Sequence, residues 1–88
     1  MVKVFRPSTA FKRQLKRVPS DVVKKLRKVI EQMEIDEFAP LLHNHKLKGE
    51  YSDYRSVNIT GDWRLMYEKT MTDEYILVQI GTHSELYK

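Results

Sequence analysis

Apolar and polar positions change period near the middle of the chain. At the start, Val2, Val4 and Arg6 alternate with Lys3 and Phe5, a short strand pattern that stops at Pro7, whose ring removes a backbone donor. Ser8 is placed to N-cap a helix that carries Ala10, Phe11, Leu15 and Val18 on one side. Pro19 and Ser20 break and recap the chain. From Asp21 onward Val22, Val23, Leu26, Val29, Ile30 and Met33 recur at helical spacing over about four turns. Glu31, Glu34, Asp36 and Glu37 crowd the end of this helix, where its dipole disfavours them, so they are expected to serve solubility or a partner rather than stability. Pro40 closes the helical half.

Beyond Pro40 the period falls to two. His45 to Tyr51, Tyr54 to Ile59, Trp63 to Glu68 and Tyr75 to Gly81 read as four strands. Ser52-Asp53 and Thr60-Gly61-Asp62 supply short hairpin turns, and Thr70 to Asp73 a looser one. A three-residue loop at 60–62 puts Val57, Ile59, Trp63, Leu65 and Tyr67 on one face and Ser56, Asn58, Arg64 and Glu68 on the other. The apolar face is expected to pack on the helix pair and the polar face to stay open. Ile76, Leu77, Val78 and Ile80 are apolar on both sides, as in a strand with neighbours on each edge. The expectation is an α+β domain spanning residues 1–88, in the order β-α-α-β-β-β-β. Its antiparallel sheet carries the helix pair on one face and a groove on the other.

Charge sharpens this picture because it is unevenly placed. Residues 1–28 hold ten Lys or Arg against one acid, Asp21, a net +9, while six basic and eleven acidic residues give 29–88 a net −5. A basic lobe suits a polyanion, since neutralising phosphates releases condensed counterions; the same residues also serve as ordinary solvated helix faces. Within the lobe, Lys12, Arg13, Lys16 and Arg17 are the candidates for nucleic-acid contact. The chain has no cysteine, which is compatible with a reducing cytosol. No apolar run approaches the ~20 residues that cross a bilayer, and no signal peptide is read at the start. A cytoplasmic protein with no membrane partner is expected.

The residues that bear chemistry fall in four clusters: His43-Asn44-His45-Lys46-Leu47-Lys48-Gly49, Tyr54-Arg55, Gly61-Asp62-Trp63-Arg64-Leu65-Met66-Tyr67, and Ile80-Gly81-Thr82-His83-Ser84-Glu85-Leu86-Tyr87. Their order and spacing resemble the RelE/ParE superfamily of bacterial toxins, most closely its YafQ-like branch of messenger-RNA endoribonucleases. The match runs from His45 to Tyr87, about half of the chain. The resemblance implies a RelE-like toxin domain of a type II toxin–antitoxin system. Such a toxin enters the A site of the 70S ribosome, cleaves the mRNA there without a cofactor, and is silenced by a cognate antitoxin protein. It implies functional roles for His45, Asp62, Trp63, His83 and Tyr87. Two departures follow. Ser56 and Asn58 stand where YafQ-like enzymes have an acid and a histidine, and Arg64 sits where the RelE branch keeps a catalytic arginine. The acid–base set is therefore smaller, with Arg64 taking more of the charge stabilisation.

Metal-free RNA cleavage turns the ribose 2′-hydroxyl on the adjacent phosphate. It requires a base for that proton, cations for the phosphorane and an acid for the leaving 5′-oxygen. Two histidines can share the proton transfers. His83 is cast as the acid, and His45 with Asp62 as base and orienter. Arg64, Lys46 and Lys48 hold phosphate, Arg64 as the planar bidentate donor, and Tyr87 and Tyr54 offer stacking surfaces. Plainer readings stand beside these. Asp62 also reads as a turn residue, Trp63 as core, Arg55 as either an RNA contact or a member of a buried structural ion pair, and Lys46 and Lys48 as a solvated strand face. His43 carries no motif. His43 and His45 would ligate one metal only if the chain bent locally, and no H-E-x-x-H or acidic pair at ligand spacing accompanies them, so no metal site is expected. Two rival functions remain. One is a ParE-like toxin that binds DNA gyrase without cutting RNA; the other is an inactive member that binds only its antitoxin.

Overall fold

Pro7 and Ser8 decide how the chain leaves its first strand. In the computed structural model, which describes residues 3–87, β1 spans Val4–Pro7 and lies at the edge of a five-stranded sheet, where a proline without a donor is tolerated. Met1 and Val2, the start of the alternating pattern, lie outside the described residues. The Ser8 hydroxyl accepts from the Phe11 amide at 3.0 Å and donates to the Val78 carbonyl at 2.9 Å, capping α1 (Thr9–Leu15) and tying its start to the sheet. Phe11 of α1 is buried, whereas Ala10 is exposed.

Helix α2 (Ser20–Asp36) buries Val22, Leu26, Val29 and Met33, spaced four, three and four residues apart so that they form one stripe. Its N-cap is Pro19, with no side-chain cap: the Pro19 carbonyl takes the Val22 and Val23 amides at 3.0 Å. Ser20 is therefore the first helical residue rather than the cap. After a 3₁₀ turn at Pro40–Leu42 come β2 (His45–Lys46), a second 3₁₀ turn at Gly49–Tyr51, β3 (Arg55–Asn58), β4 (Trp63–Lys69), β5 (Glu74–Thr82) and the one-turn helix α3 (His83–Leu86).

The expected order of elements is the observed one through β5, with α3 added after it, but the sheet is mixed. Strands run β1-β5-β4-β3-β2, and β1 pairs with β5 in parallel while every other pair is antiparallel. Parallel pairing follows from the connection: with two helices and three strands between them, β1 and β5 are not joined by a hairpin. The expected strand over His45–Tyr51 shrinks to two residues because Gly49 adopts φ 68° and turns the chain away.

The two faces divide as the 60–62 loop predicts. Val57 pairs with Leu65 and Arg55 with Tyr67 on the helix side, where Leu65, Tyr67, Tyr75, Leu77 and Ile80 join the helical stripe in one core. Asn58 pairs with Arg64 and Ser56 with Met66 on the opposite side. That second face is not open throughout. Ser56 and Met66 are 0% and 1% exposed, since α3 folds back against β4 and β5 and the Tyr87 hydroxyl donates to the Ser56 hydroxyl.

The acids at the end of α2 also depart from expectation. Glu37 is 4% exposed and accepts hydrogen bonds from the hydroxyls of Tyr75 (2.7 Å) and Tyr67 (2.8 Å) and from the Lys69 ammonium (3.2 Å). Burial pushes its carboxyl up, but those three donors outweigh it and hold the group below its ordinary value. Burial and the Glu37 charge push both tyrosines the other way, above the ordinary phenol value. Glu37 is thus a structural anion that fastens α2 to β4 and β5, a role its neighbours Glu34 and Asp36, both exposed, do not share.

Candidate active site

The shortest strand and the shortest helix frame one groove. β2 places His45 directly across from Ser56, and Ser56 in turn holds the Tyr87 hydroxyl, so strand pairing alone brings His45 to the C-terminal segment. Thr82 starts that segment as a capping box: its hydroxyl accepts from the Glu85 amide and the Glu85 carboxylate accepts from the Thr82 amide at 2.8 Å. The box turns the chain at His83, whose amide donates to the Asp62 carbonyl at 2.8 Å and whose ring lies 4.8 Å from that of Tyr87.

The groove, of about 420 Å³, gathers His45, Lys46, Lys48, Arg64, His83 and Tyr87, six of the residues singled out from the sequence. His43, Leu47 and Asn58 complete its lining. Among the described residues no carboxylate lines it, while two lysines and an arginine do, so its field favours an anion.

Arg64 arrives partly committed. Its Nη1 donates to the carbonyls of Thr60 (3.0 Å) and Trp63 (3.1 Å), and its Nη2 to that of Gly61 (3.1 Å). A guanidinium has five N–H donors, so these three leave one on Nε and one on Nη2 for a two-point grip on phosphate. The β3–β4 loop thereby fixes the plane of the fork. Arg64→Lys keeps the charge but loses both the fork and its moorings, so it is expected to slow any phosphate chemistry by about tenfold or more while leaving the fold intact. Single-turnover rates beside a thermal melt check this; a lysine variant at full rate would show that only the charge matters.

Other expected partners do not meet there. Asp62 lies exposed at the tip of the loop, and no hydrogen bond joins it to His45 among the described residues. It supports the groove through its backbone carbonyl on His83, and the group that orients His45 is the His43 carbonyl, 3.0 Å from Nδ1. Trp63 is half-buried against the core and faces a separate hollow of about 290 Å³ with Gln14, Arg17 and Leu86. The Arg55 guanidinium donates from Nε to the Asn44 side chain at 2.7 Å and lies over the Phe38 ring at 5.2 Å, so it is a structural cation on the helix side. Lys12, Arg13, Lys16 and Arg17 are all exposed on or just beyond α1, which packs on β5, and none of them lines the groove.

Two features escaped the sequence. Helix α3 carries a legible signal, the Thr82-x-x-Glu85 box, but at one turn it is too short to show helical periodicity. Asn44 had none, because a polar residue between two histidines reads as loop.

This arrangement of sheet and helices has known counterparts among solved structures, two of them bacterial toxins by name. The toxin of the E. coli DinJ–YafQ toxin–antitoxin complex superposes with a TM-score of 0.81 at 20% identity, over 100% of both chains. A YoeB/ParE toxin from Agrobacterium tumefaciens gives 0.77 at 21% identity, over 91% of this chain and 98% of that one. A conserved hypothetical protein from Helicobacter pylori gives 0.66 at 32% identity, over 99% of this chain and 100% of that one. No curated protein matches the sequence. The family model for YafQ, a bacterial toxin of a type II toxin–antitoxin system, matches residues 3–88, and the chain belongs to that family. Among the described residues no helix is long and apolar enough to cross a membrane.

Proposed function

We propose that this toxin is an endoribonuclease that cleaves mRNA in the ribosomal A site, in the cytoplasm, and that a cognate antitoxin holds it inactive. One observation carries the reading: two histidines, a tethered arginine, two lysines and a tyrosine converge on a groove that no acid among the described residues lines.

The His43 carbonyl only accepts, so His45 Nδ1 carries the proton of that contact and Nε2 of the neutral ring is the free base. Nε2 takes the 2′-hydroxyl proton as the 2′-oxygen bonds to phosphorus. The two remaining Arg64 donors, with Lys46 and Lys48, hold the phosphorane oxygens. The bond from phosphorus to the 5′-oxygen then breaks as protonated His83 donates to that oxygen. The products are a 2′,3′-cyclic phosphate and a 5′-hydroxyl, and solvent exchange resets both rings. Tyr87, held by Ser56 and packed on His83, presents a ring edge for an unstacked base. The exposed cations of α1 serve the rRNA surface rather than the scissile phosphate.

Inducing the toxin alone is expected to stop translation and growth, and co-expressing the antitoxin to restore both. Fragments from the message should end in a 2′,3′-cyclic phosphate, with EDTA having no effect. Growth arrest with intact messages would sink the nuclease reading and favour the ParE-like rival that binds DNA gyrase without cutting RNA. Absence of arrest would favour the inactive member that binds only its antitoxin, the rival that rests on Ser56 and Asn58 standing in place of an acid and a histidine.

A further inference from the structure

The strand that carries His45 is only two residues long, so its own ladder holds it weakly. Two residues before His45, His43 adopts φ 47° and ψ 46°, a left-handed conformation that a non-glycine residue keeps only when its surroundings impose it. What imposes it lies one residue on. The Asn44 amide nitrogen donates to the Glu37 carbonyl (2.9 Å) and to the Tyr67 hydroxyl (2.6 Å), and its oxygen accepts from Arg55 Nε (2.7 Å). The Tyr67 hydroxyl in turn donates a hydrogen bond to the Glu37 carboxylate at 2.8 Å. A chain of donors thus runs from the Arg55 cation through Asn44 and Tyr67 to the Glu37 anion, each bond polarising the next.

This chain ends on the peptide that orients the base. The oxygen facing His45 Nδ1 belongs to the His43–Asn44 peptide unit, and a planar peptide moves as one body. Fixing the Asn44 side chain on three sides fixes that oxygen. We propose that Asn44 is a positioning residue for His45: anchored by the buried Glu37–Tyr67 pair and by Arg55, it aims the His43 carbonyl that keeps His45 in its Nδ1–H tautomer with Nε2 facing the groove. Its catalytic consequence rests on the endoribonuclease reading above; its effect on the imidazole does not. The groove is thereby set from the core, through α2 and β4, and not from the loop that bears the histidines.

The experiment is nitrogen-15 NMR of the imidazoles in the full chain at a pH where His45 is neutral, beside single-turnover cleavage of a ribosome-bound message. Asn44→Ala is expected to convert His45 to the Nε2–H form that free histidine prefers, and to lower the cleavage rate by about tenfold or more with ribosome affinity unchanged. Tyr67→Phe removes only the hydroxyl in the middle of the chain, keeps the packing, and should move the same tautomer signal part of the way. If Asn44→Ala does not fold, Tyr67→Phe decides alone. Retention of the Nδ1–H tautomer in the folded variants overturns the proposal. A wild-type protein that cuts no message removes the endoribonuclease reading, while the tautomer shift still decides the role of Asn44.

Discussion

His83→Gln is expected to lower single-turnover cleavage by ~10²–10⁴-fold, the usual contribution of a positioned acid or base, with little change in stability or ribosome affinity. The reasons are geometric. His83 is the first residue of α3, its amide is fixed to the Asp62 carbonyl at 2.8 Å, and its ring rests on Tyr87 in the groove opposite His45. The ring is exposed and carries no core contact, so glutamine of similar reach replaces it without leaving a cavity. Only the proton is lost, and the loss falls on the step that expels the 5′-oxygen. Message carrying a 5′-thio leaving group, which departs without an acid, should therefore restore most of the rate in the variant. A fully active His83→Gln protein, or products with a plain 3′-hydroxyl, would return His83 to an ordinary surface histidine. His45→Ala should combine with His83→Gln less than additively, because the two act on one proton inventory.

Glu37→Ala is expected to destabilise the fold by about 3–5 kcal/mol, the range seen when one member of a buried charged network is removed. Two buried phenol hydroxyls and the Lys69 ammonium lose their acceptor at once, and the chain from Asn44 through Tyr67 loses its anionic end. Small domains have only about 5–15 kcal/mol in total, so the melting temperature should fall by more than ~10 °C. Glu37→Gln keeps an acceptor oxygen and should cost less. The pH dependence has a defined sign. Because the folded carboxyl titrates below its unfolded value, its contribution is complete above the unfolded value and disappears as pH falls through the folded one. Tyr67 and Tyr75 are raised instead, so their contribution is complete below the ordinary tyrosine value and is lost as pH climbs toward the folded one. Urea titrations of wild type and Glu37→Ala at neutral pH, at a pH below the ordinary glutamate value and at one above the ordinary tyrosine value test these points. A variant within 1 kcal/mol of wild type would make the network decorative.

The Glu37 network shows why part of the site lay beyond sequence reading. On the helical wheel Glu37 is one more acid at an unfavourable dipole end, indistinguishable from Glu34 or Asp36. Its partners Tyr67 and Tyr75 lie thirty or more residues away, and only the crossing of α2 over β4 and β5 brings their hydroxyls to it. Asp62 fails in the opposite direction. Its place in the Asp-Trp pair pointed to chemistry, yet a loop tip of three residues turns the carboxylate outward and leaves the backbone carbonyl to hold His83.

Local physics determined a good deal from the sequence alone. Helical spacing from Val22 to Met33, the Ser8 cap, and the parity of the 60–62 loop depend on neighbours within a few residues, and they placed two helices, the strand order along the chain and both faces of the β3–β4 hairpin. The motif clusters from His45 to Tyr87 pointed to the toxin family and to six residues of the groove. Tertiary structure decided the rest. It set the parallel docking of β1 on β5, the closing of the second face over Ser56 and Met66, the tethering of Arg64, and the burial of Glu37. It also replaced Asp62 by the His43 carbonyl as the partner of His45. Each depends on contacts across the chain whose strength comes from burial, and burial belongs to the packed molecule rather than to any residue in it.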